Sequence, residues 1–350
     1  MSKTPLHRKG RTPVRLLLAI SATAVLAASC GGSTDALESS SSGSDDVGTS
    51  DAVALKITEE GNAGALAVGQ RDGTFETALE PVGGTVEWVP SLGAFTANLE
   101  AMVAGEITVT GGAISPAVGA LSKGIDYKIV GVAPGGLVAA GIVAAPGSGI
   151  TDIEGLKGKR VAVNPAGKGE YLLLKALKDE GIPFDEVERV PIQPAEAAAA
   201  FQGGQVDAWS TFGNFYVEAV ANGGTVLAKE ADLDADDHYV IVAKGSDVEK
   251  NPTAFRTFID SYAALIEEGH TDPEAFQNVF ETTGPRAAEG ERLAAAIAST
   301  KAAPVIRIPT QDDLDSIDRV VELFAEAGVI PSKVAAEDIV YDLGDGTASS

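Results

Sequence analysis

The chain has 350 residues, with room for one large or two medium domains, and it carries a formal net charge of −24. Such an acidic chain lacks the basic face that nucleic-acid binding requires. Its three histidines and single cysteine form no cluster with metal-ligand spacing. We therefore expect no nucleic-acid partner, no metal and no cofactor.

The first 29 residues are predicted to be a signal peptide. Basic residues occur up to Arg15, and an apolar run over 16–28 follows. That run is too short for a transmembrane helix and has the length of a signal-peptide core. It ends in LAASC, which resembles a bacterial lipobox, so Cys30 is the expected lipidation site. Cleavage near Ala28 without lipidation is the alternative.

Residues 30–51 are predicted to combine that lipidated cysteine with a flexible tether. Serine, glycine and aspartate dominate the segment, and its apolar residues are too few to bury a core. A lipid, a tether and a globular body describe a protein held at the outer face of a bacterial cell membrane, or one in the periplasm. The membrane is therefore an expected partner through the lipid anchor.

From residue 52 onward, predicted strands alternate with predicted helices. The first series predicts strands over 52–60, 85–90, 107–112, 126–133 and 136–146, and helices over 61–76, 93–106 and 115–124. The second predicts strands within 149–167 and over 187–192, 206–211, 225–230 and 238–245, and helices over 169–181, 193–205 and 214–224. Helices then follow over 251–268, 272–282, 289–300 and 311–327, before a last short element over 336–343. This order predicts an α/β fold with mostly parallel sheets, in two lobes joined by two crossings of the chain.

One turn between a strand and a helix, within VAVNPAGKGEYLLLKAL at 161–177, is a candidate anion site. It is not a P-loop, because it lacks the first glycine and the Ser or Thr that follows the lysine. It is not a dinucleotide fingerprint either, because Leu172 replaces the last glycine. Gly167 and Gly169 still permit close backbone approach, the helix start favours negative charge, and Lys168 adds a cation. A plain connection with a solvated lysine is the alternative.

Two further turns share this design, and an aromatic stretch accompanies them. TVTGGAISP ends a strand at 108–116, and EEGNAGA at 59–65 places Asn62 between glycines. Because ligands of open α/β sheets lie outside the carboxyl ends of the strands, several such turns can face one cleft. DAWSTFGNFY at 207–216 adds an apolar wall and the indole N–H of Trp209, with core packing as its alternative.

Little in the sequence points to catalysis. His238 precedes a strand and is a candidate cleft residue, with a hydrogen-bonded structural histidine as the alternative. The sequence contains no G-x-S-x-G motif, no spare cysteine and no histidine with a nearby catalytic partner. These features favour binding over catalysis, and we expect no enzyme activity.

Two segments, LKGKRVAV at 156–163 and GQVDAW at 204–209, are the more specific pieces of a resemblance that extends over residues 52–343. In them the chain resembles the solute-binding proteins of ABC importers, most of all the group for aliphatic sulfonates, taurine and nitrate. The resemblance implies a type II periplasmic-binding-protein-like fold, in which a small-molecule solute binds in a hinge cleft. The closed form, expected to be a monomer, would dock on an ABC permease in the membrane. The implied division is lobe 1 over 52–145 and 240–343, the latter helix-rich, and lobe 2 over 146–239.

The resemblance also implies which residues bind the solute. The family's binding turns fall on Asn62, Ala63, Thr110, Gly111, Gly112, Ala166, Gly167, Lys168, Gly169, Trp209, Phe212 and Asn214. We add His238 from its place before the strand. The implied site contains no catalytic residue and no metal ligand.

The glycine turn and the aromatic segment depart from the sulfonate-binding pattern. Family members often read Ser-Asn-x-His where this chain reads Ala-Gly-Lys-Gly, and Trp-x-x-Trp-Asp-Pro-Tyr where it reads Trp-Ser-Thr-Phe-Gly-Asn-Phe. Fewer polar side chains and more glycine predict a roomier or differently shaped solute. The leading hypothesis is capture of a small organic anion such as an aliphatic sulfonate or taurine. The alternatives are a pyrimidine vitamin precursor or aromatic acid as solute, a tethered sensor, or an enzyme on the same fold.

Overall fold

The computed structural model describes residues 52–59, 61–92, 94–135 and 139–344. The predicted signal peptide, Cys30 and the tether up to residue 51 lie outside these described residues. Within the described ranges, no helix combines the length and apolar character needed to cross a membrane.

In this part of the chain, the strands form two five-stranded sheets. The first sheet contains β1 Val53–Thr58, β2 Gly84–Val89, β3 Val109–Ala113, β4 Tyr127–Ala133 and β10 Tyr239–Lys244, in the order β2-β1-β3-β10-β4. The second contains β5 Ala140–Ala144, β6 Arg160–Val163, β7 Glu188–Pro191, β8 Ala208–Phe212 and β9 Thr225–Lys229, in the order β7-β6-β8-β5-β9. The predicted α/β architecture with two sheets is confirmed.

Each sheet has one strand that runs against the other four. β1 pairs parallel with β2 and β3, while β10 pairs antiparallel with β3 and β4. In the second sheet β5 has the same role, between β8 and β9. The mostly parallel direction is therefore confirmed. Each reversed strand follows a change of sheet along the chain. We name the described residues at these points the first crossing (134, 135 and 139) and the second crossing (230–238).

The chain changes sheet earlier than the sequence predicts. The segment 136–146 is expected in lobe 1, but β5 belongs to the second sheet, so this placement is wrong. All residues of β5 are buried, and Gly141 lets it lie close to β9, because a Cβ there would overlap the carbonyl of Ala228. The change of sheet therefore lies between β4 and β5. The remaining lobe boundaries stay a prediction.

Helices flank the strands along the described chain. They are α1 Ala65–Asp72, α2 Thr74–Leu79, α3 Phe95–Val103, α4 Ile114–Ala120, α5 Lys168–Asp179, α6 Pro194–Gln202, α7 Gly213–Ala221, α8 Gly245–Lys250, α9 Pro252–Thr271, α10 Gly290–Lys301, α11 Gln311–Glu326 and α12 Ala336–Ile339. Gly73 divides the helix predicted over 61–76 into α1 and α2, because its left-handed φ of 67° ends the first of them.

Helix α9 packs against α1 and α2 next to the first sheet. Asn251 caps α9 by accepting a hydrogen bond from the amide of Ala254 at 3.1 Å, and Pro252 fits its first position. The buried ring of Phe258 lies 5.1 Å from that of Phe75, centroid to centroid. These aromatic contacts join the helix-rich end of the chain to its beginning, so the first lobe is built from two distant segments.

Residues 272–282 do not form the predicted helix. They make turns, and Asn278 adopts a left-handed φ of 52° that a continuing helix does not allow. The side chain of Asn62 holds this segment: its Oδ1 accepts hydrogen bonds from the amides of Phe280 and Glu281 at 2.8 and 2.9 Å. Its Nδ2 donates to the carbonyl of Glu281 at 2.8 Å. Asn62 therefore has a structural role, and its role as a solute contact stays a prediction.

We predict that Asn62→Ala lowers the free energy of unfolding by about 1–3 kcal/mol, because two backbone amides lose their acceptor. Urea unfolding of the purified protein measures the change. The matched control is Asn214→Ala, at an exposed asparagine, which should stay within about 0.5 kcal/mol of the wild type. A stable Asn62→Ala protein with weakened solute binding would contradict the structural role.

Candidate functional site

A cavity of about 530 Å³ lies at the carboxyl ends of β3, β6, β7 and β8, where ligands bind in open α/β sheets. We name it the interlobe cavity, because it is lined by residues from both halves of the molecule, each half being the part built on one of the two sheets. From the first half come Ala94, Phe95, Thr96, Gly112, Ala113 and Pro116. From the second half come Asn164, Lys168, Gln193, Pro194, Ala195, Phe212 and Phe215, and Asp237 and Tyr239 complete the lining. Its volume lies within the range of about 300–1,000 Å³ that small-molecule sites occupy.

Four helices of at least nine residues begin at the interlobe cavity. The first residues of α3, α5 and α6 line it, as does Phe212, which directly precedes α7. In α3, α6 and α7, the side chain of the N-cap residue makes no capping hydrogen bond to the backbone. The N–H groups of a helix's first turn point out of its end, and the helix dipole makes that end positive. The cavity therefore receives hydrogen-bond donors and positive potential from the backbone.

Four aromatic residues are among those that line the interlobe cavity. They are Phe95, Phe212, Phe215 and Tyr239, and we name this set the aromatic wall. Gly112 makes room for the ring of Phe95, because a Cβ at this position would overlap it. A wall of this kind suits the apolar body of an organic solute. Gly112 and Phe212 thus lie in the cavity lining, as the sequence predicts.

The glycine turn before α5 uses most of its amides internally. Asn164 Oδ1 accepts a hydrogen bond from the amide of Gly169 at 2.7 Å, and the carbonyl of Asn164 accepts one from Gly167 at 3.2 Å. Glu170 accepts a hydrogen bond from the amide of Ala166 at 2.7 Å. Gly169 is required because a Cβ there would overlap the carbonyl of Ser210 in β8. The amides of Ala166, Gly167 and Gly169 therefore stabilise the turn in this structure, and their role as anion donors stays a prediction.

Lys168 lines the interlobe cavity, but its charge is committed to two carboxylates. Its buried Nζ pairs with Glu230 and lies 3.0 Å from Asp237 Oδ2. Burial lowers the pKa of Lys168, but the carboxylates of Asp237 and Glu230 outweigh burial, so the pKa lies above its ordinary value. Burial raises the pKa of Glu230, although Lys168 opposes that shift. Lys168 thus lies in the cavity lining with its charge paired, and its role as a cation for the solute stays a prediction.

Asp237 connects the second crossing to both halves of the molecule. Its carboxylate accepts hydrogen bonds from the amide of Ser115 at 2.6 Å and from the Ser115 hydroxyl at 2.9 Å, at the start of α4. The same carboxylate contacts Lys168 at the start of α5, and Asp237 is 1% exposed. We name Asp237, Ser115, Lys168 and Glu230 the hinge network. It fixes the starts of two helices on opposite sides of the cavity.

His238 is a structural residue of the crossings. Its Nδ1 accepts a hydrogen bond from the amide of Gly135 in the first crossing at 3.0 Å. Its Nε2 lies 3.5 Å from the hydroxyl of Ser316 in α11, and its carbonyl accepts a hydrogen bond from Ile114. The imidazole thus connects the two crossings and lies outside the cavity lining, and its role as a solute contact stays a prediction.

Trp209 and Asn214 also lie outside the cavity lining, contrary to the prediction. Trp209 is 3% exposed and packs between Phe201 and Phe215, each with its ring centroid 5.8 Å away. The alternating side chains of β8 turn this residue into the core behind the aromatic wall. Asn214 is exposed on the first turn of α7. The core-packing alternative holds for Trp209.

The remaining predicted contacts have structural surroundings. Thr110 is buried, and its hydroxyl accepts hydrogen bonds from Thr58 at 3.2 Å and from Asn98 at 3.1 Å. Gly111 lies against the hydroxyl of Tyr239, which a Cβ would overlap. Ala63 is partly exposed and does not line the cavity. Thr110 and Gly111 thus have structural surroundings at the end of β3, and the roles of all three residues as solute contacts stay predictions.

Several lining residues escape the sequence analysis. Phe95 and Thr96 are the first two residues of α3, and Gln193 and Pro194 lie at the start of α6. Neither helix follows a glycine-rich turn. Pro194 in the first position of α6 marks a helix start, and such starts after strand ends are the available signal. Asp237 carries no local motif, because its partners lie 69 and 122 residues away along the chain.

Comparison with known proteins identifies relatives of this chain. A family model described as NMT1/THI5 like matches residues 91–275, more than half of the chain. A Bacillus subtilis (strain 168) protein named as a binding protein for aliphatic sulfonates is 29% identical, with 63% of this chain and 67% of the relative covered. An Escherichia coli (strain K12) protein of the same name is 33% identical, with 49% and 52% covered. The chain thus spans about half to two thirds of the length of these relatives.

Solved structures share the fold. The periplasmic aliphatic sulphonate binding protein SsuA from Escherichia coli has a TM-score of 0.67 at 25% identity, with 82% of this chain and 97% of that chain covered. The alkanesulfonate-binding protein SsuA from Xanthomonas axonopodis pv. citri, bound to MOPS, has a TM-score of 0.69 at 20% identity, with 83% and 99% covered. The desulfurization enzyme DSZB has a TM-score of 0.54 at 15% identity, with 83% and 97% covered.

We predict that Lys168→Met lowers the free energy of unfolding by about 3–5 kcal/mol, because it leaves the buried carboxylate of Asp237 and the partly buried one of Glu230 without their cation. Denaturant unfolding at neutral pH provides the measurement. The double variant Lys168→Met/Glu230→Gln should recover part of the loss, since it removes one of those carboxylates. A stable Lys168→Met protein that has lost only its affinity for an anion would show that Lys168 serves the solute instead.

Proposed function

The chain belongs to the NMT1/THI5-like family, and we propose that it is the extracytoplasmic solute-binding subunit of an ABC importer. Its solute is a small organic anion such as an aliphatic sulfonate or taurine, captured in the interlobe cavity. The names of its relatives support this class, since they include proteins named for binding aliphatic sulfonates and a taurine-binding periplasmic protein of Escherichia coli (strain K12). The fold agrees with those of two sulfonate-binding proteins.

The observation that carries this proposal is the convergence of helix starts on one cavity with an aromatic wall. The starts of α3, α6 and α7 supply N–H donors and positive potential for an anionic head group. Phe95, Phe212 and Phe215 supply contact area for an apolar body. An organic sulfonate has both an anionic head group and an apolar body, so it matches both parts of the cavity. Nitrate has no apolar body, so the aromatic wall favours an organic anion over nitrate.

The two halves of the cavity lining allow the solute to stabilise a closed form. Lining residues come from both sheets' halves, and the two crossings join those halves. A solute that touches both sides favours the conformation in which the sides are close. In this proposal the closed form, a monomer, docks on an ABC permease in the membrane, and Cys30 carries the lipid that keeps the protein near it. Lobe 1 then comprises about 52–139 and 239–343, and lobe 2 lies between them.

The proposed role involves no chemistry on the solute. The relatives with the longest matches are named as binding proteins, which supports this assignment. The desulfurization enzyme DSZB shares only the fold with this chain, at 15% identity. Fold alone does not carry an activity, because one fold supports many functions.

A second candidate solute is an aromatic acid, and the aromatic wall favours it. Three phenylalanines and a tyrosine line one cavity, and ring-to-ring contacts add to the stability of a bound aromatic body. An aryl sulfonate or aryl carboxylate would place its charge at the helix starts and its ring on the wall.

A thermal-shift screen tests the function. The library contains alkyl and aryl sulfonates, taurine, nitrate, sulfate, aromatic carboxylates and pyrimidines. A solute at about a hundred times its dissociation constant adds about 2.7 kcal/mol of stability, which raises the melting temperature measurably. Stabilisation by organic anions supports the proposal. Stabilisation by pyrimidines alone, or by none of these compounds, contradicts it.

We predict that Phe212→Ala weakens binding of the best solute by about 1–3 kcal/mol, because one large apolar contact is lost. Isothermal titration calorimetry measures the dissociation constant. Val217→Ala is the control, in the helix α7 that directly follows Phe212, since Val217 is 55% exposed and lies outside the cavity lining. Equal affinities of the two variants would remove Phe212 from the solute site.

A further inference from the structure

A second cavity, of about 390 Å³, lies in the half of the molecule built on the first sheet. Residues at the start of α1, on α9 and at the end of α10 line it. Among the described residues, Tyr239 alone lines both this second cavity and the interlobe cavity. Its side chain therefore stands at the boundary between the two.

The register of the first sheet explains how one side chain separates two cavities. Tyr239 is the first residue of β10, and it lies directly opposite Ala113 in β3 and Ala133 in β4. Residues directly opposite each other in antiparallel strands project to the same face of a sheet. The ring of Tyr239 therefore projects to the same face of the sheet as the methyl groups of Ala113 and Ala133, and it lies between them. Ala113 lines the interlobe cavity, and Ala133 lines the second cavity.

Tyr239 is also fixed at both ends. Its backbone amide donates a hydrogen bond to the carbonyl of Gly135 in the first crossing at 3.3 Å. Its hydroxyl lies against Gly111, where a Cβ would overlap it, so only glycine at this position admits the ring. The unusual Thr-Gly-Gly end of β3 therefore has a physical role: Gly111 admits Tyr239, and Gly112 admits Phe95.

We infer that Tyr239 determines the length of the solute that the interlobe cavity accepts. The inference rests on the proposed function, because a tail reaches Tyr239 only if its head group is held at the helix starts. The ring is the wall against which the far end of an apolar tail stops. Beyond it, Ile266, Phe276 and Ile306 line the second cavity. A tail that passed the position of the ring would therefore gain further apolar burial.

Binding of a homologous series tests the inference. The probes are straight-chain alkanesulfonates from ethanesulfonate to dodecanesulfonate, and calorimetry gives each dissociation constant. For the wild type, affinity should rise by about fourfold per buried methylene up to a limiting chain length and then stop rising. Tyr239→Ala joins the two cavities, so its affinities should keep rising beyond the wild-type limit.

Two control variants test whether the ring of Tyr239 itself sets the limiting chain length. Tyr239→Phe keeps the ring and should keep the wild-type limit, with or without a change in overall affinity. Ile266→Ala enlarges the second cavity without touching Tyr239, and it should also keep that limit. Thermal unfolding of each variant identifies any that fails to fold. If Tyr239→Ala does not fold, Tyr239→Leu, which shortens the side chain and keeps a strand residue, takes its place.

The outcomes distinguish this inference from the function on which it rests. The inference is supported if the limiting chain length is longer for Tyr239→Ala or Tyr239→Leu and unchanged for the two controls. If the wild type and the Tyr239 variants have the same limiting chain length, the inference is overturned while solute binding itself stands. A longer limit in Ile266→Ala also overturns it, because the tail would then already reach the second cavity. Absence of binding to every sulfonate by the wild type contradicts the proposed function itself.

Discussion

The geometry of the candidate site depends on the buried carboxylate of Asp237. It accepts two hydrogen bonds from Ser115 at the start of α4 and pairs with Lys168 at the start of α5. A buried carboxylate without such partners costs several kcal/mol, so the three groups hold one another in place. Because α4 belongs to the first half of the molecule and α5 to the second, this interaction fixes the base of the cavity between them. It also consumes the charge of Lys168, and this determines how an anion can be held.

In the proposed function, an anion in this cavity relies on the backbone rather than on a counter-ion. Helix starts carry partial charges that are fixed in direction and already desolvated, so they need little rearrangement when an anion binds. The net charge of −24 gives no long-range attraction for anions, so recognition is local to the cavity. The aromatic wall adds a contribution that a small inorganic ion cannot use. Together these features favour an organic anion with a defined shape, and Tyr239 defines its length.

The sequence predicts features that depend on neighbouring residues, and it misses those that depend on distant ones. Strand and helix alternation follows from local periodicity, and it correctly predicts two sheets and puts Gly112, Lys168 and Phe212 at the cavity. The structural partners of Asn62 and Lys168 do not appear in the sequence analysis, because they lie 218 and 62 residues away. Trp209 is misplaced because a periodicity argument does not say which face of β8 meets the core. Tyr239 is missed because its role arises from pairing with two other strands.

The central claim is that the helix starts recognise negative charge without a cation. Calorimetric titration of a matched pair, p-toluenesulfonate and the neutral p-toluenesulfonamide, tests it most directly, because the two share a ring and a sulfur centre. The account predicts that the sulfonate binds at least about tenfold more tightly, a difference of about 1.4 kcal/mol. Equal affinities, or tighter binding of the sulfonamide, would contradict it.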